Sequence, residues 1–155
     1  MALIFLWLTS AHNPAVAQGA ASIGFTIESD KMTYATSEKI ILHLEIKNIS
    51  AKDVEVVNFS QVQSWLLSAK IITFDIQDAD GETYGLEGSV VDYWPGDRVK
   101  KLSPEETMTT DLIINDWNAR NFYRLSKQSE YEIVAIYHGL AGRTVESNPI
   151  IIKLE

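Results

Sequence analysis

Two segments of this chain alternate between apolar and polar residues. The first runs from Lys39 to Lys47, and a segment from Tyr131 to His138 echoes it near the other end. Successive side chains of a strand point to opposite faces, so a period of two predicts half-buried antiparallel strands and does not suit a helix. In the first segment, one face carries Ile40, Leu42, Leu44 and Ile46, and the other carries Lys39, His43, Glu45 and Lys47.

Shorter alternating segments separated by turn residues predict seven or eight strands in all. The predicted strands cover 22–28, 39–48, 53–59, 70–77, a return strand beginning at 83–84, 108–114, 130–138 and 150–154. Short strands at this spacing, without a convincing amphipathic helix, are typical of a β-sandwich. We therefore predict an all-β, immunoglobulin-like antiparallel sandwich with one domain over residues 18–155.

Particular residues support this prediction at the turns. Asp80-Gly81 supplies the positive φ that a hairpin turn needs. Tyr131 begins its strand two residues before Ile133, which is the place of a tyrosine corner. Its hydroxyl is therefore expected to bond back to the preceding connection.

The N-terminus has the pattern of a secretory signal peptide. Ala2 to Leu8 is a short apolar run, and Ala15-Val16-Ala17 has the small-x-small form that signal peptidase cleaves, here before Gln18. We predict a signal peptide over residues 1–17 and export to the periplasm or the extracellular space. The apolar run is too short to span a bilayer, so no membrane insertion is expected of the mature form.

Charge and cysteine content exclude several classes of function. The chain has 13 basic and 21 acidic residues, a net charge of -8, and no cysteine. An acidic surface without a basic cluster disfavours nucleic acid and anionic membranes as partners. The absence of cysteine excludes thiol catalysis and Cys-ligated metals.

A set of turn and core positions follows one another in a characteristic order along the chain. They are Tyr34, Glu38-Lys39-Ile40, Lys47 to Ser50, Asp78 to Gly81, Tyr84-Gly85, Leu102 to Glu106, Asp111-Leu112, Tyr123 to Leu125 and Tyr131 to Ile133. This order resembles bacterial immunoglobulin-like domains. It is similar to the non-catalytic sandwich beside deuterolysin-type zinc metallopeptidases and, more loosely, to the Bacillus intracellular proteinase inhibitor family. The resemblance implies a sandwich fold with an accessory or binding role, and it transfers no catalytic residue. One departure is Glu105, which stands where the family pattern has a turn glycine.

No motif for catalysis, a metal or a cofactor stands out. His43 and His138 are far apart in sequence, and a zinc site needs three or four converging ligands. Asp78-x-Asp80-Gly81 with Glu87 copies part of a calcium loop, but a hairpin turn explains the Asp-Gly pair without a metal. We therefore predict a protein that is not an enzyme and has no cofactor.

Aromatic residues in the irregular connections are the candidate ligand-binding residues. Loop aromatics on a rigid sandwich can present a flat apolar patch to a sugar or a protein. The alternative, which we favour, is that they close the ends of the core. The candidate binding residues are Trp65, Tyr93, Trp94 and Trp117, and the neighbouring Phe122 and Tyr123 belong to the same set.

We expect a non-enzymatic binding module that recognises a protein or a glycan through end loops, chiefly residues 60–68 and 85–100. Two other hypotheses stay open. One is a protease inhibitor that inserts such loops into an active-site cleft. The other is a structural subunit of a surface assembly that pairs through an edge strand. The sequence leaves the ligand and the oligomeric state open.

Overall fold

The computed structural model describes residues 22–58, 66–67, 69–88, 99–119 and 121–155. Within these ranges the chain forms an all-β, multi-sheet arrangement that resembles a sandwich. No helix among the described residues is long and apolar enough to cross a membrane.

Several predictions fall outside the described ranges. They are the signal peptide over residues 1–17, the candidate residues Trp65, Tyr93 and Trp94, and most of the loops 60–68 and 85–100.

Besides the helical residues 66–67, thirteen strands and one short 3₁₀ turn have their full bounds within the described residues. They are β1 (Ile23–Ser29), β2 (Thr33–Tyr34), β3 (Ile41–Asn48), β4 (Val54–Val57), β5 (Ile72–Asp78), β6 (Thr83–Tyr84), β7 (Leu86–Gly88), β8 (Val99–Leu102), β9 (Thr107–Ile113), β10 (Asn121–Tyr123), β11 (Glu130–His138), the 3₁₀ turn (Leu140–Gly142), β12 (Thr144–Glu146) and β13 (Ile150–Leu154).

Two larger sheets form the layers. One has the order β1-β3-β9, and the other has the order β2-β13-β11-β5-β6 with β12 also paired to β11. Strands β4 and β8 form a separate pair, as do β7 and β10. The pairs are antiparallel, apart from β2, which runs parallel to β13.

The core lies between the two larger sheets. The Phe25 ring of β1 lies 6.0 Å from the Tyr137 ring of β11, which joins the layers. The alternation predicted for the first segment is confirmed, because each apolar residue of its inner face is at most 1% exposed. These residues are Ile40, Leu42, Leu44 and Ile46. The inward residues of β11 are Tyr131, Ile133, Ala135 and Tyr137, and they are buried as well.

The structure has more and shorter strands than the sequence predicts. Strands β12 and β13 share one neighbour, β11, but Asn148 and Pro149 separate them. Proline has no N–H to give to a ladder, so the edge strand is interrupted there. The Asn148 amide bonds instead to β1, where it accepts from the Ile27 N–H at 3.1 Å and donates to the Ile27 carbonyl at 3.0 Å.

Two parts of the chain for which the sequence predicts no strand contain short ones. β7 and β8 lie between 85 and 107, and β10 lies between 115 and 129. A strand of three or four residues has too few positions to show alternation, and partner strands stabilise it through tertiary contacts.

The predicted tyrosine corner is confirmed. The Tyr131 hydroxyl donates to the Lys127 carbonyl oxygen at 2.7 Å, four residues back in the connection. The Asp-Gly hairpin is present too: Gly81 joins β5 to β6 with a φ of 84°.

Glu105 adopts a backbone conformation that favours glycine. Its φ is 65°, in a turn where the Glu106 N–H donates to the Ser103 carbonyl at 3.0 Å. The left-handed region costs an L-residue roughly 1–2 kcal/mol. The departure from the family pattern therefore places a glutamate where glycine would be unstrained.

Candidate functional site

A groove of about 480 Å³ lies at one end of the sandwich. Three segments form it: the turn before β3, the turn after β9, and β10 with the residues that follow it. Its lining residues are Thr36, Ser37, Lys39, Asn115, Asp116, Trp117, Phe122, Tyr123, Arg124, Leu125 and Ser126.

Trp117 stands at the tip of a tight turn on the rim of this groove. The Ala119 N–H donates to the Asp116 carbonyl at 2.8 Å, and the Asn118 N–H donates to the Asp116 carboxylate at 3.1 Å. An Asp side chain that accepts from the backbone two residues on fixes the turn. Trp117 is 76% exposed, so the turn presents a large aromatic face to solvent.

Asn115 holds two walls of the groove together. Its side-chain oxygen accepts from the Ile40 N–H at 2.8 Å, and its amide donates to the Glu38 carbonyl at 2.8 Å. One side chain therefore ties the turn before β3 to the turn that carries Trp117.

Two ion pairs involve residues that line the groove. Lys39 Nζ donates to the Asp116 carboxylate at 2.7 Å, and the Arg124 guanidinium donates to Glu87 at 2.9 Å. The Lys39 ammonium lowers the pKa of Asp116, so Asp116 is ionised at neutral pH. The Lys39 and Arg124 side chains are 56% and 67% exposed, so both keep further N–H donors open to a ligand.

Buried side chains of β10 support the groove floor. The Phe74 N–H of β5 donates to the Tyr123 hydroxyl at 2.9 Å, which anchors β10 to the second sheet. The Phe74 and Tyr123 rings also meet edge to face, 5.6 Å apart. Burial raises the pKa of Tyr123 to about 12. The same strand places Phe122 half-buried at the groove surface.

The structure separates the predicted aromatic set. Trp117 is exposed in the groove, while Tyr123 is 1% exposed and belongs to the core. Tyr123 therefore closes the core, and the role of Trp117 in binding stays a prediction. The other candidates, Trp65, Tyr93 and Trp94, lie outside the described residues.

Sequence reasoning missed the polar part of the groove. Lys39 is more than 75 residues from Asp116 and Arg124, and it lines the same groove only because β3 begins where β9 and β10 end. One local signal was available: Asp116-x-Asn118 is the signature of a turn that would expose the residue between them.

The hairpin at Asp78 is a structural site. Its carboxylate accepts from the Asp80 and Glu82 N–H groups at 3.0 and 2.9 Å, and from Lys127 Nζ at 2.7 Å. The Tyr84 hydroxyl donates to it as well, at 3.0 Å. Lys127, and then these hydrogen bonds, lower the pKa of Asp78 to about 2. The Lys127 ammonium therefore occupies the position that a metal ion would take beside Asp78.

The remaining partial motifs show no metal geometry. His43 pairs with Asp111 at 2.6 Å on the outer face of the first sheet, and His138 bonds Thr73 at 2.8 Å on the second. Across the described ranges, no three His, Cys, Asp or Glu side chains converge in a way that could hold a metal ion.

Comparison with known proteins shows no family. No protein-family model matches the sequence, and no curated protein matches it. The immunoglobulin-like families suggested by the sequence therefore stay a prediction.

Solved structures give distant matches. A β-glucosidase from Erythrobacter marinus is 13% identical with a TM-score of 0.46, over 86% of this chain and 15% of that one. The sporulation control protein Spo0M of Bacillus subtilis is 10% identical with a TM-score of 0.48, over 87% of this chain and 50% of that one. A CARDB domain from Pyrococcus furiosus, in complex with di-metal ions, is 10% identical with a TM-score of 0.42, over 86% of this chain and 87% of that one.

Sequence identities and TM-scores this low support no inference about function. The all-β, sandwich-like description depends on the strands themselves.

Proposed function

We propose that this chain is a non-enzymatic, exported binding module of immunoglobulin-like fold, and that the groove beside Trp117 is its ligand site. The observation that carries the proposal is the 76% exposure of Trp117 on a turn fixed by hydrogen bonds. Large exposed aromatics on rigid turns are typical of binding surfaces, because burying an indole against a partner removes much apolar area from water.

The groove has the composition of a binding site. Its floor includes the buried side chains of Tyr123 and Leu125, and its rim carries hydroxyl, ammonium and guanidinium groups. Ligand pockets combine an apolar surface with a few fixed polar groups in this way, and their volumes are about 300–1,000 Å³.

One sheet edge, that of β1, is not open to the edge-strand pairing that a surface assembly would use. An added strand needs free backbone groups along a sheet edge. At Ile27 of β1 both the N–H and the carbonyl already bond to Asn148. This edge is therefore closed in the middle of the strand.

The test is a binding panel of defined oligosaccharides and defined peptides. It is measured by calorimetry on the full chain and on two variants. Trp117→Ala removes the proposed contact. Ile49→Ala is the matched control, because Ile49 is 50% exposed and follows the opposite end of β3.

We expect at least one panel member to bind the unmodified chain and the Ile49→Ala variant, and to lose at least tenfold in affinity with Trp117→Ala. Binding that Trp117→Ala leaves unchanged would contradict the assignment of the site. The absence of any Trp117-dependent binder in the panel would contradict the proposed function.

A further inference from the structure

We infer that the groove takes an uncharged oligosaccharide, with one sugar ring stacked on Trp117 and its hydroxyls bonded to the flanking ion pairs. This inference rests on the proposed function and names the ligand class of the same site. Its three supports are the shape of the aromatic face, the charge of the lining and the distribution of apolar residues.

The aromatic face is flat, isolated and bordered by polar groups. Trp117 is 76% exposed at the tip of its turn, with Asp116 directly before it and Lys39 bonded to Asp116. A pyranose ring has an apolar face of C–H groups and an edge of hydroxyls. Stacking on the indole would place those hydroxyls beside groups that donate and accept hydrogen bonds.

The described part of the lining is close to electrical neutrality. Its described charged residues are Lys39, Arg124 and Asp116, which sum to +1, and Glu87 pairs with Arg124 and brings the sum to 0. An anionic ligand would find each cation already paired, in a chain whose net charge of -8 repels it. A cationic ligand would have to compete with Lys39 for Asp116. Sugar hydroxyls donate and accept, so they can bond to both members of an ion pair without separating them.

The apolar surface is too dispersed for a protein partner. Tyr123 and Leu125 are at most 4% exposed and already packed into the core, and Phe122 is half-buried. Among the described lining residues, Trp117 is therefore the large apolar side chain with the greatest exposure to solvent. Stable protein interfaces bury about 800 Å² on each partner around a cluster of apolar anchors. A single indole with hydroxyl neighbours fits a sugar ring better than such a cluster.

The experiment titrates three groups of probes into the full chain. The neutral group is cellohexaose, xylohexaose and mannohexaose. The anionic group is hexagalacturonate and a sulfated hexasaccharide, and the third group is a set of apolar decapeptides. Each titration is repeated with Trp117→Ala, with Trp117→Phe and at 0.05 and 0.5 M NaCl, and thermal unfolding of each variant checks that it folds.

We expect at least one neutral hexasaccharide to bind. Its affinity should change less than twofold between the two salt concentrations, because the ligand has no charge to screen. It should fall at least tenfold with Trp117→Ala and less with Trp117→Phe, which keeps an aromatic face.

Other outcomes overturn the inference and bear differently on the proposed function. Trp117-dependent binding of an anionic hexasaccharide or a peptide, and of no neutral one, contradicts the ligand class and leaves the binding module intact. Binding of neutral sugars that Trp117→Ala does not weaken contradicts the stacking arrangement. No Trp117-dependent binding in any group contradicts both proposals.

Discussion

The Tyr123 hydroxyl holds β10, and with it the groove floor, against the second sheet. The Phe74 N–H of β5 donates to it at 2.9 Å, and Tyr123 is 1% exposed. Tyr123→Phe keeps the ring and removes this acceptor, so a buried N–H loses its partner. Such a loss costs about 1–3 kcal/mol of unfolding free energy. For a domain of this size that is roughly 4–12 °C in melting temperature, at about 4 °C per kcal/mol.

The assay is urea unfolding at pH 7, followed by circular dichroism, with Tyr131→Phe as the control. The Tyr131 ring is buried, and its hydroxyl donates to the Lys127 carbonyl oxygen and also bonds to the Tyr84 hydroxyl. Tyr131→Phe leaves Tyr84 its bond to Asp78, and Lys127 is exposed, so water can replace the lost donor there. The control variant should therefore lose less unfolding free energy than Tyr123→Phe. A loss below about 0.5 kcal/mol for Tyr123→Phe, or a larger loss for the control, would refute the reasoning.

A pH series gives an independent readout of the same hydroxyl. Burial raises the pKa of Tyr123 to about 12, above the ordinary value of 10.0. Between these values the unfolded chain releases its proton and the folded chain keeps it, so stability should fall as the pH rises above 10. The fall should be shallower in Tyr123→Phe. An unchanged slope would mean that the hydroxyl is not buried.

Three further predictions concern stability. Glu105→Gly should raise the unfolding free energy by about 1 kcal/mol in urea, because φ is 65° there and its exposed ion pair contributes little; a decrease would contradict the strained turn. Melting temperature should fall as pH drops from 4 to 2, since Lys127 lowers the pKa of Asp78 to about 2 and the unfolded carboxyl protonates first. The fall in melting temperature over this pH range should be shallower in Lys127→Met. An equal fall in the variant would contradict the pairing of Lys127 with Asp78. Asn148→Ala should lower the unfolding free energy by about 1–2 kcal/mol, because the Ile27 N–H and carbonyl of β1 lose their bonds to the Asn148 side chain. An unchanged unfolding free energy would contradict the importance of these two bonds.

The sequence predicts the core strands well because their signal is local. Residues 42–47 alternate without interruption, and the inner face of the resulting strand is fully buried. The tyrosine corner at Tyr131 is predictable for the same reason, since its partner Lys127 is only four residues away.

The groove is less predictable because its parts meet only in the folded chain. Trp117 was a candidate from its place in an irregular connection, but its exposure depends on the turn that Asp116 fixes. The contacts of Asn115 with the turn before β3 span 75 and 77 residues. No periodicity reports on contacts of that range, and a three-residue strand such as β10 has too little pattern to detect.

The most direct test of the groove assignment follows the Trp117 indole itself. ¹⁵N-labelled chain is titrated with cellohexaose, xylohexaose and mannohexaose in turn, and the indole N–H resonance is assigned by its absence in Trp117→Ala. We predict that with at least one sugar this resonance moves and saturates, while the backbone resonance of Ile49 stays in place. An indole resonance that all three sugars leave unmoved would contradict the account.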